Sequence, residues 1–207
     1  SLIARTEWVE ARDLLESLDA RFPNREDVLS GLANVLGELD DMPRYQQVCE
    51  QLIKLAPDDP DYMLALAGAC MRNIRPAAAL LTFRRFLIRW PQHQRAADVR
   101  KTVTALESNL PEILKAAGFS TPDSLETAAL HEQSLALLDQ GKYSQARHKA
   151  EEVLKRYPSF APARNNLSQI CFAEGHLEQA IGMAERVIAL DPNNFHALSN
   201  LARYYCL

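Results

Sequence analysis

The histidines are the residues of this sequence best suited to acid–base chemistry or metal binding, but their spacing supports neither role. They are His93, His131, His148, His176 and His196. His131 and Glu132 begin a pattern like that of zinc proteases, but the pattern requires a second histidine where Leu135 stands. The sequence contains no nucleophile-elbow, phosphate-binding or dinucleotide-binding motif. We therefore expect solvated helix histidines, no catalytic site, no metal and no cofactor.

The four cysteines, Cys49, Cys70, Cys171 and Cys206, are too widely spaced for a zinc site of the Cys-x-x-Cys type. The chain is also too large to need disulfide bonds for its stability. Three of them, Cys49, Cys70 and Cys171, fall at apolar positions of predicted helices, where a free thiol acts as a small hydrophobic residue. This pattern predicts reduced cysteines and a cytoplasmic location.

The composition is that of a soluble globular protein, with 207 residues, 47% of them hydrophobic and 24% charged. No segment approaches the roughly 20 apolar residues of a membrane helix, so we expect no membrane partner. Nucleic acid is also disfavoured as a partner, because the net charge is −4 and no aromatic residues alternate with the arginines. Ser1 at one end and a helical pattern through Leu207 at the other suggest a piece of a longer protein.

Proline recurs with a fixed period. Pro23, Pro57 and Pro91 lie 34 apart in succession, and so do Pro158 and Pro192. Apolar residues at helical spacing precede each of them, as Ala11, Leu14, Leu15 and Leu18 precede Pro23. Because proline cannot continue a helix, each one predicts a helix end at the same point of a repeated unit.

Two units, Thr127–Phe160 and Ala161–Asn194, show the repeat most clearly. Each unit has a glycine 17 residues before its proline, a larger residue 15 before it and an alanine 12 before it. These residues are Gly141, Tyr143 and Ala146 in the first unit and Gly175, Leu177 and Ala180 in the second. The glycine permits a tight turn between two helices, and the alanine lets them approach.

In this order of small and large residues the sequence resembles the tetratricopeptide repeat (TPR) family, over Glu26–Pro91 and Thr127–Leu207. Arg5–Pro23 fits as the second helix of a further hairpin. The resemblance implies an all-α, right-handed superhelical solenoid of antiparallel helix pairs. It also implies a protein-interaction scaffold with a protein or peptide ligand and no catalysis of its own.

Several positions depart from the repeat. Asp40 replaces the turn glycine and Tyr45 replaces the small alanine, which predicts a more open or locally adjusted hairpin. Pro76 is acceptable at the start of a second helix, where no amide donor is lost.

Between Gln94 and Glu126 the pattern weakens. We expect a helix to about Asn109 and a short helix over Glu112–Ala117, because Pro111, Gly118 and Pro122 interrupt the segment. Asp123 or Ser124 begins the next helix. The predicted organisation is an N-terminal block over 1–107, an irregular connection over 108–123 and a C-terminal block over 124–207.

Asparagine recurs on one predicted helix face, since Asn166 and Asn200 are separated by one full repeat. An amide offers both donors and an acceptor to the backbone of an extended peptide. The resemblance implies a row of asparagines, one per repeat, that binds the backbone of a peptide. We call this row the asparagine ladder, and in this sequence it consists of Asn166 and Asn200 alone. Neighbouring residues on the predicted face complete the candidate site: Asn165, Gln169, His196 and Arg203. The alternative is that asparagine merely tolerates a solvated helix face.

Basic residues concentrate between Arg72 and Lys101, a segment with eight basic residues and a single acidic residue, Asp98. Such asymmetry can mark an anionic partner. Arg72 and Arg95 are predicted on the peptide-binding side, where arginine suits a carboxylate. The alternative is a solvated basic face.

Two further functions stay open. The chain could be a regulatory or substrate-docking segment of a larger enzyme. It could also self-associate to form a homo-oligomer, because the end helices of a repeat array expose apolar surface. The candidate contact residues for self-association are Leu2, Ile3, Trp8, Tyr204, Tyr205 and Leu207.

Overall fold

A computed structural model describes residues 2–119 and 123–206, with side chains from residue 5 onward. Leu207 and the side chains of Leu2 and Ile3, named above as candidate contacts, lie outside the described residues. The helices in the described part are α1 (Leu2–Arg21), α2 (Glu26–Glu38), α3 (Met42–Leu55), α4 (Pro60–Arg72), α5 (Pro76–Arg89), α6 (Ala96–Ala116), α7 (Ser124–Asp139), α8 (Tyr143–Arg156), α9 (Ala161–Ala173), α10 (Leu177–Leu190) and α11 (Phe195–Tyr205).

The chain divides into two compact units, Ser1–Leu110 and Pro111–Leu207. In the N-terminal unit the helices α1 to α5 pack in series, in the order of the chain. In the C-terminal unit α7 to α11 do the same, and α9 also contacts α7 and α11. The predicted all-α fold of helix pairs is confirmed, with hairpins α2/α3, α4/α5, α7/α8 and α9/α10. None of the helices in the described ranges is both long and apolar enough to cross a bilayer.

Each hairpin turns through one residue in the left-handed region. Gly141 (φ +70°) and Gly175 (φ +82°) take this conformation after α7 and α9. The next amide then reaches back five residues, from Lys142 N to Leu137 O at 2.9 Å and from His176 N to Cys171 O at 2.8 Å. This is a Schellman ending, which satisfies carbonyls at the helix end and reverses the chain.

Asp40 and Ile74 make the same turn without glycine. Their φ values are +60° and +56°, and the equivalent bonds close, from Asp41 N to Leu36 O at 3.0 Å and from Arg75 N to Cys70 O at 2.8 Å. The α2/α3 turn is therefore not opened. The hairpin accommodates Tyr45 through Gly37 instead. Gly37 on α2 has no side chain, and a Cβ at this position would lie 4.0 Å from the Tyr45 ring of α3.

Small buried residues set the distance between paired helices in the C-terminal unit. Ser134 on α7 donates to the carbonyl of Ala146 on α8 at 3.0 Å. Ser168, one repeat later on α9, donates to Ala180 of α10 at 2.8 Å. Both serines and both alanines are fully buried. The hydroxyl reaches the backbone of the second helix only because no larger side chain separates them.

The helix expected to end near Asn109 instead continues through Pro111 to Ala116. Proline removes the bond that would reach the carbonyl of Glu107. Because Glu107 and Pro111 are exposed, that carbonyl lies on the solvent side, where the loss is least costly. After the helix, Gly118 (φ +93°) turns the chain, and Phe119 packs on Phe160 with ring centroids 4.4 Å apart.

The predicted placement of Cys49, Cys70 and Cys171 in the core is confirmed, since each is buried. Burial raises the pKa of Cys49 to about 11, so its reactive thiolate form is suppressed at neutral pH. Cys206 is exposed.

His131 corrects the expectation that the histidines are solvated. It is partly buried, and its ring meets Phe160 edge-on with centroids 5.2 Å apart. Burial lowers its pKa to about 4, because the charged imidazolium is poorly solvated there. His93 is also partly buried and packs on Phe86. His148, His176 and His196 are exposed as predicted.

The turn at Ile74 yields a stability prediction. A β-branched residue at positive φ is strained by about 1–2 kcal/mol, and Ile74 is 87% exposed, so its side chain contributes little packing. Ile74→Gly should stabilise the chain by about 0.5–1 kcal/mol in urea unfolding. Ile88 is equally exposed at 83% but helical, so Ile88→Gly should destabilise it by a similar amount. The same sign of change at both positions would contradict the strain argument.

The His131 environment yields a pH prediction. The folded-state pKa of His131, about 4, lies below the ordinary value near 6.5. Between these values the unfolded chain binds a proton that the folded chain does not, so stability falls as pH decreases. His131→Gln should remove about 2 kcal/mol of the stability difference between pH 7.5 and pH 4.5, measured by urea unfolding. His196→Gln, at an exposed histidine without an ion pair among the described residues, is the control and should keep the wild-type difference. An unchanged difference in His131→Gln would refute the assignment.

Candidate functional site

The first helices of the C-terminal unit, α7, α9 and α11, bring polar residues together on one face. Residues 34 apart take equivalent places, so His131 corresponds to Asn165, Asn166 to Asn200, and Gln169 to Arg203. We call this surface the first-helix face and define it by His131, Asn165, Asn166, Gln169, Phe172, Asn200 and Arg203. Side-chain contacts join its helices, from α7 to α9 at His131 and from α9 to α11 at Phe172.

The asparagines of this face are buried rather than solvated. Asn165, Asn166 and Asn200 are 5%, 3% and 7% exposed. Asn166 Nδ2 lies 3.5 Å from His131 Nδ1, a long contact that joins α9 to α7. Asn165 Nδ2 donates to Asn194 Oδ1 at 3.2 Å. The asparagines are therefore part of the packed structure, and the alternative of a solvated helix face does not describe them.

Two amide atoms of this face have no hydrogen-bond partner. Among the described residues four buried side-chain polar atoms lack a partner, and two of them are Asn165 Oδ1 and Asn200 Nδ2. A buried polar group without a partner costs about 1–3 kcal/mol. One is an acceptor and the other a donor, which are the groups that pair with a peptide amide and carbonyl. Both atoms are covered in the structure, so a ligand reaches them only when the side chains above them move.

An aromatic stack lies beside the asparagines. Phe172 on α9 stacks on Tyr204 of α11 with ring centroids 4.6 Å apart. The guanidinium of Arg203 lies over Phe172, 4.7 Å from its centroid. Arg203 is exposed and Gln169 is partly buried. The stack fixes the arginine at the edge of the face, where it can bind a carboxylate.

Tyr204 is not the exposed end residue that the sequence suggested. It is 1% exposed, and its hydroxyl lies 2.9 Å from Ser168 Oγ. Tyr205, the next residue, is 64% exposed, and Trp8 at the other end of the chain is 37% exposed. His196 is exposed and its ring meets Phe195; no described contact joins it to the asparagines.

The N-terminal unit presents its arginines differently. Arg72 forms an ion pair with Asp40, the residue that replaces the turn glycine, so a ligand carboxylate would compete with a neighbour in the same unit. Arg95 is exposed. Arg84 pairs with Glu107 at 2.8 Å and Arg89 with Asp58. Much of the basic charge that is concentrated in the sequence is thus matched by acids that lie far away along the chain.

Two residues of the first-helix face were missed by sequence reasoning as binding candidates. His131 was set aside as solvated, and Phe172 was placed on the predicted face but not among the binding residues. The equivalence of His131 with Asn165 one repeat later was the available signal. The stacking of Phe172 had no signal in the sequence, because it depends on contact with Tyr204 on another helix.

The chemistry of this face is that of hydrogen bonding and stacking. Its amides, its neutral imidazole and its arginine can hold a ligand but do not form a nucleophile with an adjacent base. Within residues 5–119 and 123–206 no three His, Cys, Asp or Glu side chains are grouped so that they could hold a metal ion.

Part of the chain is similar in sequence to a known repeat protein. A TPR repeat-containing protein of Bacillus subtilis (strain 168), YvcD, is 31% identical over 83 residues, which are 40% of this chain and 17% of that protein. The chain thus spans about a sixth of the length of this curated relative.

Solved structures of similar fold include the TPR domain of P58(IPK), with a TM-score of 0.46, 12% identity and coverage of 99% of this chain and 62% of that one. The TPR2AB domain of yeast Sti1 in complex with pHSP90 has a TM-score of 0.42, 15% identity and coverage of 99% and 79%. The TPR protein TTC0263 of Thermus thermophilus has a TM-score of 0.38, 15% identity and coverage of 100% and 94%.

A family model described as tetratricopeptide repeat matches residues 46–94 and 131–195. These two segments include hairpin α4/α5 and the helices that carry most of the first-helix face. Because they make up just over half of the residues, this chain belongs to the tetratricopeptide repeat family.

Proposed function

We propose that this protein is a non-enzymatic interaction scaffold that binds an extended peptide segment of a partner protein on the first-helix face of its C-terminal unit. The tetratricopeptide repeat fold supports a role in protein–protein interaction. The observation that carries the finer proposal is the pair of buried, unpartnered amide atoms, Asn165 Oδ1 and Asn200 Nδ2. They lie on neighbouring helices, and an extended backbone offers both complementary groups once the side chains that cover these atoms move aside.

Rigidity supports binding here. The asparagine side chains are held by burial, and Asn166 is further fixed by its contact with His131. Because these side chains are already ordered, binding costs little of their conformational freedom, and the remaining cost is the movement of the side chains that cover them. Because the pKa of His131 is lowered to about 4, its ring stays neutral at physiological pH and Nδ1 can continue to accept from Asn166.

Arg203 gives the proposed site a preference for peptides that carry a carboxylate. Its guanidinium is held over Phe172 at the exposed edge of the face, and no carboxylate of the described residues forms an ion pair with it. A peptide with an acidic side chain or a terminal carboxylate nearby would gain a charge-assisted hydrogen bond. The second site suggested by the sequence, at Arg72 and Arg95, is the weaker candidate, because Arg72 already forms an ion pair with Asp40.

The proposal predicts the effect of removing the two unpartnered amides. Asn165→Ala combined with Asn200→Ala should weaken binding about 10-fold or more to peptides selected by the wild-type protein from an array of short random peptides. The reason is the loss of at least two amide hydrogen bonds of about 0.5–1.5 kcal/mol each. Fluorescence anisotropy with the selected peptides measures the change.

The matched control is Asn109→Ala combined with Asn193→Ala, which removes two exposed asparagines outside the first-helix face. It should bind with wild-type affinity, and circular dichroism should show that both double variants are folded. Equal binding by the variant that lacks Asn165 and Asn200 and by the control would refute the proposed site.

A further inference from the structure

A groove lies between the helices α1 and α3 of the N-terminal unit, and α2 forms its floor. Its volume is about 270 Å³. Carboxylates of α1 and amides of α3 line its sides, and buried aliphatic residues of α2 and α3 line its base: Glu16, Asp19, Gln47, Gln51, Leu32 and Val48. All three helices belong to the same compact unit, and their lining side chains are described.

Asp19 departs from the repeat at this groove. It lies four residues before Pro23, and the residues four before the other repeat prolines are all aliphatic: Ile53, Leu87, Leu154 and Ile188. All five positions are partly buried. The helix α1 therefore carries a charge at a half-buried position where the other second helices carry an aliphatic side chain.

The C-terminal unit shows what fills the equivalent place. The residues that correspond by their distance from the repeat prolines to Asp19, Leu32 and Val48 are Leu154, Leu167 and Met183. Leu167 belongs to a cluster of buried residues, and both Leu154 and Met183 pack against that cluster. An ionised carboxylate keeps its contact with water rather than packing on apolar residues. The groove beside Asp19 therefore stays open to solvent.

The carboxylates of the groove are only partly matched by charges of the chain. Glu16 forms an ion pair with Arg44, which also lines the groove. Asp19 forms no ion pair with any described residue, and the side-chain amides of Gln47 and Gln51 form no hydrogen bond with other described residues. The groove thus retains one unpaired carboxylate and two amide oxygens as acceptors, above an apolar base.

We propose that this groove binds a lysine side chain of a partner protein, at a site separate from the first-helix face. The apolar stem of the lysine lies on Leu32 and Val48, because such stems cover apolar surface while the charged end stays in a polar environment. The ammonium pairs with Asp19. The volume of about 270 Å³ is below the roughly 300–1,000 Å³ of pockets for drug-sized ligands, so the groove suits a single side chain.

Lysine fits this set of acceptors better than arginine does. Its ammonium has three donors that can rotate toward acceptors in different directions. The groove offers such acceptors from two helices, with Asp19 on α1 and the amide oxygens of Gln47 and Gln51 on α3. The donors of a guanidinium all lie in one plane, so it could pair with Asp19 but not with all three groups together.

Nuclear magnetic resonance tests the preference for lysine. The probe is the peptide acetyl-Gly-Ser-Lys-Ser-Gly-amide, and binding is followed through the side-chain amide signals of Gln47 and Gln51. We expect a dissociation constant of about 1–10 mM for this single contact. The same peptide with norleucine in place of lysine keeps the stem without the charge, and it should bind about 10-fold more weakly or worse.

The peptide series can also contradict the proposal. If the lysine peptide does not shift these signals at concentrations up to about 50 mM, the groove does not bind lysine. Equal affinity of the norleucine peptide would overturn the role of the charge, and equal affinity of an arginine peptide would overturn the choice of lysine. None of these outcomes bears on the first-helix face, because that face lies on the other unit.

A pair of charge variants tests whether Asp19 is the site of binding. Asp19→Asn removes the charge and keeps the size of the side chain, so it should weaken binding of the lysine peptide about 10-fold or more. Glu10→Gln is the matched control, because it removes one negative charge from an exposed position of the same helix outside the groove. It should bind as the wild type does. Equal weakening by both variants would show an effect of overall charge and overturn the site.

Asp19→Leu restores the aliphatic residue of the other second helices and separates binding from a purely structural role. It should abolish the shifts caused by the lysine peptide and raise the midpoint of urea unfolding by about 0.5 M, because leucine packs on Leu32 and Val48. Glu10→Leu places a leucine at the exposed control position and should leave the midpoint nearly unchanged. A lower midpoint for Asp19→Leu would mean that the fold itself requires the carboxylate, and the proposal would fail.

Discussion

The structure of each unit depends on the close packing of paired helices through small side chains. Where Ser168 meets Ala180, a hydroxyl reaches a backbone carbonyl at 2.8 Å, and any larger residue at either position would push the helices apart. The left-handed residue before each second helix makes this possible, because it reverses the chain within the three residues that separate the paired helices. The repeat period is the length of chain needed to form this pairing once.

This constraint also accounts for the first-helix face. When each second helix is held on one side, the opposite side of α7, α9 and α11 is brought together, and residues one repeat apart come into neighbouring positions. Asn166 meets His131 and Phe172 meets Tyr204 and Arg203 for that reason. On this surface Asn165 Oδ1 and Asn200 Nδ2 are the buried polar atoms without a hydrogen-bond partner among the described residues.

The two units differ in how they use charge. In the N-terminal unit the arginines mainly stabilise local structure, as Arg72 does with Asp40, although exposed pairs of this kind contribute only about 0–1 kcal/mol. In the C-terminal unit Arg203 is held by aromatic rings, which leaves its hydrogen-bond donors available. The arginine-rich segment of the sequence is therefore less suited to an anionic ligand than the single arginine beside the asparagines.

Sequence alone determined the helix pairs and their family, because regularly spaced prolines, turn glycines and small residues act through local geometry that every repeat reproduces. It also placed Cys49, Cys70 and Cys171 in the core through the helical apolar period. Tertiary structure decided what depends on neighbours across helices: the burial of Tyr204, Asn166 and His131, and the pairing of Arg72 with Asp40. It also decided the continuation of α6 through Pro111. The cost of a missing backbone hydrogen bond depends on whether the freed carbonyl faces solvent, and a residue's position in the sequence does not specify that.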